Sequence, residues 1–211
     1  MSTFRKRALE QFPMVLLTLV SIIQALALEL LWGKVTETEL LWQLSSASLV
    51  GWSMISVTLL GILQIWIMYS SLVMGFRWVP STRDSLFPFL IGIQEFMLVS
   101  LIATDHEGLW LLVLASIFAS ANIMSHLTFK RARAEPDNLA FFRNRSPATW
   151  RDFKWAYLVI STLTTLGVIS QWFSSSDWAP LFASLLANMM LLVQIFASRR
   201  LWKVVVETVE E

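Results

Sequence analysis

The chain has 211 residues, of which 56% are hydrophobic and 15% charged, with no cysteine and a formal net charge of +1. Soluble domains carry about 25% charged residues, so this composition and a mean hydropathy of +0.62 exclude an ordinary water-soluble globule and a disordered chain. The missing cysteine also excludes disulfide scaffolds, thiol catalysis and cysteine metal ligation.

A bilayer core of about 30 Å needs about 20 helical residues to cross it. In chain order, apolar runs predict spans over 13–33, 49–75, 85–105, 109–129, 155–174 and 179–198. Helices are the expected spanners, because lipid offers backbone groups no hydrogen-bond partner and a barrel would show short alternating segments. Arg5, Lys6 and Arg7 precede the first run, and Ala25-Leu26-Ala27 resembles a signal-peptide cleavage motif. The run continues to Trp32, longer than a signal core, and reads as a permanent helix. Residues 39–48 continue in helical style into the second span. Gly33-Lys34, Val79-Pro80-Ser81 and Ser174-Ser175-Ser176-Asp177 mark breaks. Asp105, His106 and Glu107 form a polar turn between two further helices. The longest polar segment is the basic loop 130–154, where Ser146-Pro147 has the residue types of a helix N-cap and first helical position. The chain therefore reads as one all-α membrane domain over residues 1–211.

Charge sets the orientation. Arg5, Lys6, Arg7, Arg77, Arg83, Lys130, Arg131, Arg133, Arg143, Arg145, Arg151, Lys154, Arg199, Arg200 and Lys203 all fall on one side of a six-span chain, leaving only Lys34 opposite. Basic flanks stay cytoplasmic, which predicts cytoplasmic termini and a plasma (inner) membrane protein. Trp32, Trp52, Trp110, Trp172 and Trp178 fall at the outer ends, and Trp78, Trp155 and Trp202 at the inner ends, as expected of headgroup anchors.

The chain has no Walker loop, G-x-G-x-x-G, H-E-x-x-H or G-x-S-x-G, so neither a cofactor nor a metal is expected. Chemistry falls to polar groups within the spans. Helical spacing aligns Gly61, Gln64, Ser71 and Gly75 on the second span, and Ala115, Ala119, Asn122 and His126 on the fourth. Thr18, Ser21, Ala25 and Glu29, with Gln24 alongside, form a stripe on the first span. Ser161, Thr164 and Gln171 mark the fifth, and Ser184, Ala187 and Gln194, with Asn188 adjacent, the sixth. These faces are expected to converge inside the bundle, with Gly61, Gly75, Ala115 and Ala119 as close-packing positions. Gln24, Gln64, Glu95, Thr164 and Asn188 all fall near the midplane.

Glu95 is the sharpest signal. A carboxylate at that depth must be protonated, paired or hydrated, and no Lys or Arg lies inside a span to pair with it. The leading expectation is a channel or transporter for an ion, proton or small polar solute. Its interior would be lined by Glu95, Gln64, Asn122, Asn188 and Gln24, with His126 at the cytoplasmic mouth. The chain is small for a transporter, so a homo-oligomer is expected. The alternative is a non-transporting subunit that anchors, senses or recruits a cytoplasmic protein. Arg131, Arg133, Arg143, Arg145, Phe141 and Phe142 would then meet that partner or lipid headgroups. Nucleic acid is not expected, and neither is an enzyme, since Glu95 and His126 lack a positioned nucleophile.

Overall fold

The computed structural model describes residues 3–79, 81–143, 146, 147, 149, 153–173 and 178–207, with side chains described from 7 to 172 and from 180 to 199 within those ranges. Six long helices carry the fold. They are α1 (Thr3–Glu37), α2 (Ser46–Gly75), α3 (Thr82–Ser100), α4 (Glu107–Ala132), α6 (Lys154–Phe173) and α7 (Trp178–Glu207). A four-residue α5 (Leu139–Phe142) lies between α4 and α6.

The long helices follow the apolar runs because backbone groups in an apolar environment satisfy themselves only within the segment. Their ends follow local polar chemistry. The Ser45 hydroxyl accepts the Ser48 N–H and opens α2. The Asp84 carboxylate accepts the Ser81 N–H at 2.6 Å and opens α3, a capping-box arrangement. α1 runs unbroken through Ala25-Leu26-Ala27.

Three boundaries differ from the expected ones. Residues 39–48 do not simply extend α2: a 3-10 turn at Glu39–Trp42 is separated from it by 43–45. The third helix stops at Ser100, where the chain turns through Ala103 in the left-handed region (φ 54°). Ser146 and Pro147 are not helical, and α6 starts at Lys154. The Ser146 carbonyl instead accepts the Arg133 guanidinium at 2.8 Å, a tertiary contact that overrides the local capping pattern.

The long helices close a ring in the order α1, α2, α7, α6, α4, α3. The α4–α6 and α2–α7 seams are the most extensive, and α6–α7 is the slightest. Close approach along α4–α6 depends on two glycines. A Cβ on Gly108 would lie 2.6 Å from the Gln171 nitrogen, and one on Gly167 would lie 3.0 Å from the Gly108 carbonyl oxygen. Gly92 plays a similar part against Ile23, joining α3 to α1. Gly61, expected at a packing contact, instead faces open space, with nothing within 4 Å of its Cβ position.

The exterior is apolar and the interior carries the polar groups. Leu59, Leu63, Ile93, Ile123, Leu185, Met189 and Phe196 are exposed, while Gln24, Thr58, Gln64 and Glu95 are buried. Such an inversion suits a lipid surround. Four helices among the described residues are long and apolar enough to cross a membrane: Arg7–Glu37 within α1, α2, α4 and Pro180–Arg199 within α7. The other two are more polar: α3 carries Arg83, Asp84 and Glu95 in 19 residues, and α6 carries six Ser, Thr and Gln residues in 20.

Candidate functional site: a chamber around Glu95

A partly open cavity of about 240 Å³ lies between α2, α3, α4, the start of α6 and α7. Along α2 its wall follows Thr58, Gly61, Gln64, Met68 and Ser71, which takes in Gly61, Gln64 and Ser71 of the expected stripe and leaves out Gly75. α3 supplies Glu95 and Leu98, and α7 supplies Leu191, Gln194 and Ser198. Toward the Asp105–Glu107 end the chamber stops at Leu98 and Leu114, behind which Ile102, Trp110 and Leu111 are buried. Toward the basic end it reaches Phe129, Phe153 and Ala156.

Glu95 is 2% exposed and Gln64 4%. From α1, Gln24 Nε2 donates to Glu95 Oε1 at 2.7 Å, which fixes the carboxylate's orientation across the α1–α3 seam. The second oxygen, Oε2, has no hydrogen-bond partner among the described residues, and neither does Gln64 Oε1 or Gln24 Oε1. Gln64 Nε2 donates to Ser198 Oγ at 2.9 Å, tying α2 to α7. Glu95 is the one ionisable side chain among the described residues lining the chamber.

The remaining expected residues are dispersed. Asn122 lines the chamber, half-buried. Gln24 reaches it only through Glu95. Asn188 lies in the α2–α7 seam: its amide donates to the Ser53 carbonyl and hydroxyl and the Ser184 carbonyl, and its oxygen accepts the Ser56 hydroxyl at 2.7 Å. It clamps α7 to α2. His126 is exposed and packs edge-on against Phe153, 5.4 Å between ring centres, away from the chamber. The inner face of α4 runs instead through Leu114, Ile117, Ala121 and Ser125, rotated by about one residue from the expected Ala115–His126 stripe. Ser161, Thr164 and Gln171 on α6, and Thr18, Ala25 and Glu29 on α1, point outward.

The basic loop is folded onto the bundle. Phe141 packs edge-on against Phe76 at 4.8 Å and Phe142 stacks on it at 5.6 Å, Phe76 in turn meets Phe129 at 5.3 Å, and the Arg133 guanidinium covers Phe142 at 4.7 Å. Arg131, expected to face a partner or headgroups, forms a two-pronged ion pair with Asp84, whose side chain is fully buried, and also donates to the Ser81 hydroxyl at 2.7 Å. Asn138 clasps the Arg77 backbone from both sides and donates to the Ala132 carbonyl. Arg143 is exposed, and Arg145 lies outside the described residues. Asp84 and Asn138 were not singled out from sequence. The signal for Asp84 was there, in the capping pattern Ser81-Thr82-Arg83-Asp84; that for Asn138 was not, because its partners belong to a different loop.

No known protein family, no curated protein and no solved structure matches this chain.

Proposed function

We propose that the protein is a membrane carrier for a small solute, with the Glu95 chamber as its binding site. The observation that carries the reading is a buried carboxylate among the residues lining a cavity between the helices, with one of its oxygens lacking a hydrogen-bond partner among the described residues. Polar groups in such a setting are costly and mark solute or ion pathways. The buried Ile102, Trp110 and Leu111 beyond the chamber favour a carrier over a continuously open channel.

The six long helices are the six crossings of this reading. At 1.5 Å per residue, the 19 residues of α3 span about 28 Å and the 20 of α6 about 30 Å, enough for a hydrocarbon core of about 30 Å. Fifteen of the 16 basic residues then share one side, which supports cytoplasmic termini in a plasma membrane. A homo-oligomer belongs to the same proposal, given the short chain.

The test is flux into vesicles reconstituted with the full chain, across a panel holding an organic cation, an organic anion, a polyol and a neutral amide. At least one solute is expected to cross faster than in empty vesicles, and the gain is expected to vanish in Gly61→Leu, whose side chain fills the chamber. No gain for any solute overturns the carrier reading. A partner-docking role rests on the exposed Leu139 and Arg143; its test is pull-down of a stoichiometric cytoplasmic protein, lost when Arg143 and Arg145 are neutralised.

A further inference from the structure

We infer that the chamber takes a small monovalent organic cation, an ammonium or guanidinium on an apolar body, with Glu95 as its counter-ion. The inference rests on the carrier reading and names its substrate class.

The wall carries one carboxylate, and its side-chain N–H donors are the amides of Gln64, Asn122 and Gln194. Glu95 and Gln64 line the cavity, and their buried Oε2 and Oε1 atoms receive no hydrogen bond from the described residues. Each such orphan costs about 1–3 kcal/mol, so a ligand that brings N–H groups recovers what the protein leaves unmade. The hydroxyls do not fill the need. Thr58, Ser71, Ser125 and Ser198 donate to the carbonyls of Met54, Ile67, Ala121 and Gln194 on their own helices. Their remaining capacity is as acceptors, and Ser198 Oγ already accepts Gln64 Nε2.

Charge points the same way. No Lys, Arg or His among the described residues lines the cavity, so an anion would meet Glu95 with nothing to hold it. The compensating positive charge must arrive as a proton or with the ligand. A hydrated inorganic ion is a poor match, because hard divalent cations want about six to eight oxygen ligands and most of this wall is Leu, Ile, Phe and Met. An organic cation suits both halves of it. Its charged head meets Glu95 and Gln64, while Phe118, Phe129 and Phe153 offer apolar contact. The volume of about 240 Å³ lies under the usual minimum of about 300 Å³ for ligand pockets, which restricts the body to about one ring.

Benzylguanidinium is the probe, titrated calorimetrically into the full chain in detergent. Benzylurea serves as its neutral isostere and phenylacetate as an anion of similar size. Benzylguanidinium is expected to bind at least about tenfold more tightly than either, a difference of about 1.4 kcal/mol. Its affinity is expected to fall at least about tenfold in Glu95→Gln, which keeps an acceptor for Gln24, and to disappear in Gly61→Leu. If Glu95→Gln does not fold, Gln64→Leu keeps the carboxylate and is expected to weaken the cation severalfold while leaving benzylurea and phenylacetate no tighter than before. Equal binding of benzylguanidinium and benzylurea, or full affinity in Glu95→Gln, overturns the cation assignment. So does absence of benzylguanidinium binding to the unaltered chain. In that case a different solute of the flux panel that crosses, and is lost in Gly61→Leu, leaves the carrier standing; if none crosses, both readings fall.

Discussion

A hydroxyl on a helix can donate to a carbonyl of the preceding turn, and having done so it no longer needs a partner from elsewhere. Thr18 bonds the Met14 carbonyl, Thr164 that of Ile160 and Ser161 that of Leu158, and all three face outward. Amides carry two donors and an acceptor and cannot be silenced locally. Gln24, Gln64, Gln94 and Asn188 accordingly all reach another helix. The amides in the sequence therefore pointed inward more reliably than the hydroxyls. Glycine divides in a similar way, into those that let backbones touch and one that leaves room. Gly61→Ala is expected to raise stability by about 0.5–1 kcal/mol, since its Cβ meets nothing and alanine favours the helix. Gly108→Ala is expected to lower it by about 1–3 kcal/mol, because its Cβ strikes the α6 backbone. Unfolding midpoints of both variants in one detergent check the pair; the same sign for both would contradict this division.

At the scale of helices, positions were legible in the sequence and facings only partly. Apolar runs located all six long helices, because only a helix satisfies its own backbone in lipid. The inner stripe of α2 was also readable, while those of α1, α4 and α6 were misjudged where hydroxyls and small residues stood in for buried polarity. Contacts between helix ends were the hardest to read, since they join residues far apart in the chain. Asp84, at the start of α3, and Arg131, at the end of α4, form such a joint, 47 residues apart and shielded by the protein. Removing one partner from a buried ion pair strands the other, at a cost of about 3–5 kcal/mol. Asp84→Asn and Arg131→Met are each expected to destabilise by that order, and the double variant by much less than their sum. A double-mutant cycle from denaturation in mixed micelles measures the coupling; additive losses would mean that the two residues act independently.

For the whole molecule, the ring of six helices turns apolar side chains outward and gathers amides, hydroxyls and one carboxylate around a hollow. The α4–α6 seam is extensive and the α6–α7 seam slight. Water must reach the chamber if a solute is to enter it, whereas on the six-span proposal the outer surface of α3 faces lipid. The natural absence of cysteine makes this distinction directly measurable, because thiols react as thiolates and thiolates form in water rather than in hydrocarbon. The decisive measurement is the modification rate of Gly61→Cys and Ile93→Cys chains in vesicles by a small membrane-permeant methanethiosulfonate. Gly61→Cys is expected to react and to be protected by benzylguanidinium, while Ile93→Cys stays unmodified. An unreactive Gly61→Cys beside a reactive Ile93→Cys would place water outside the ring and leave Glu95 with no chamber to serve.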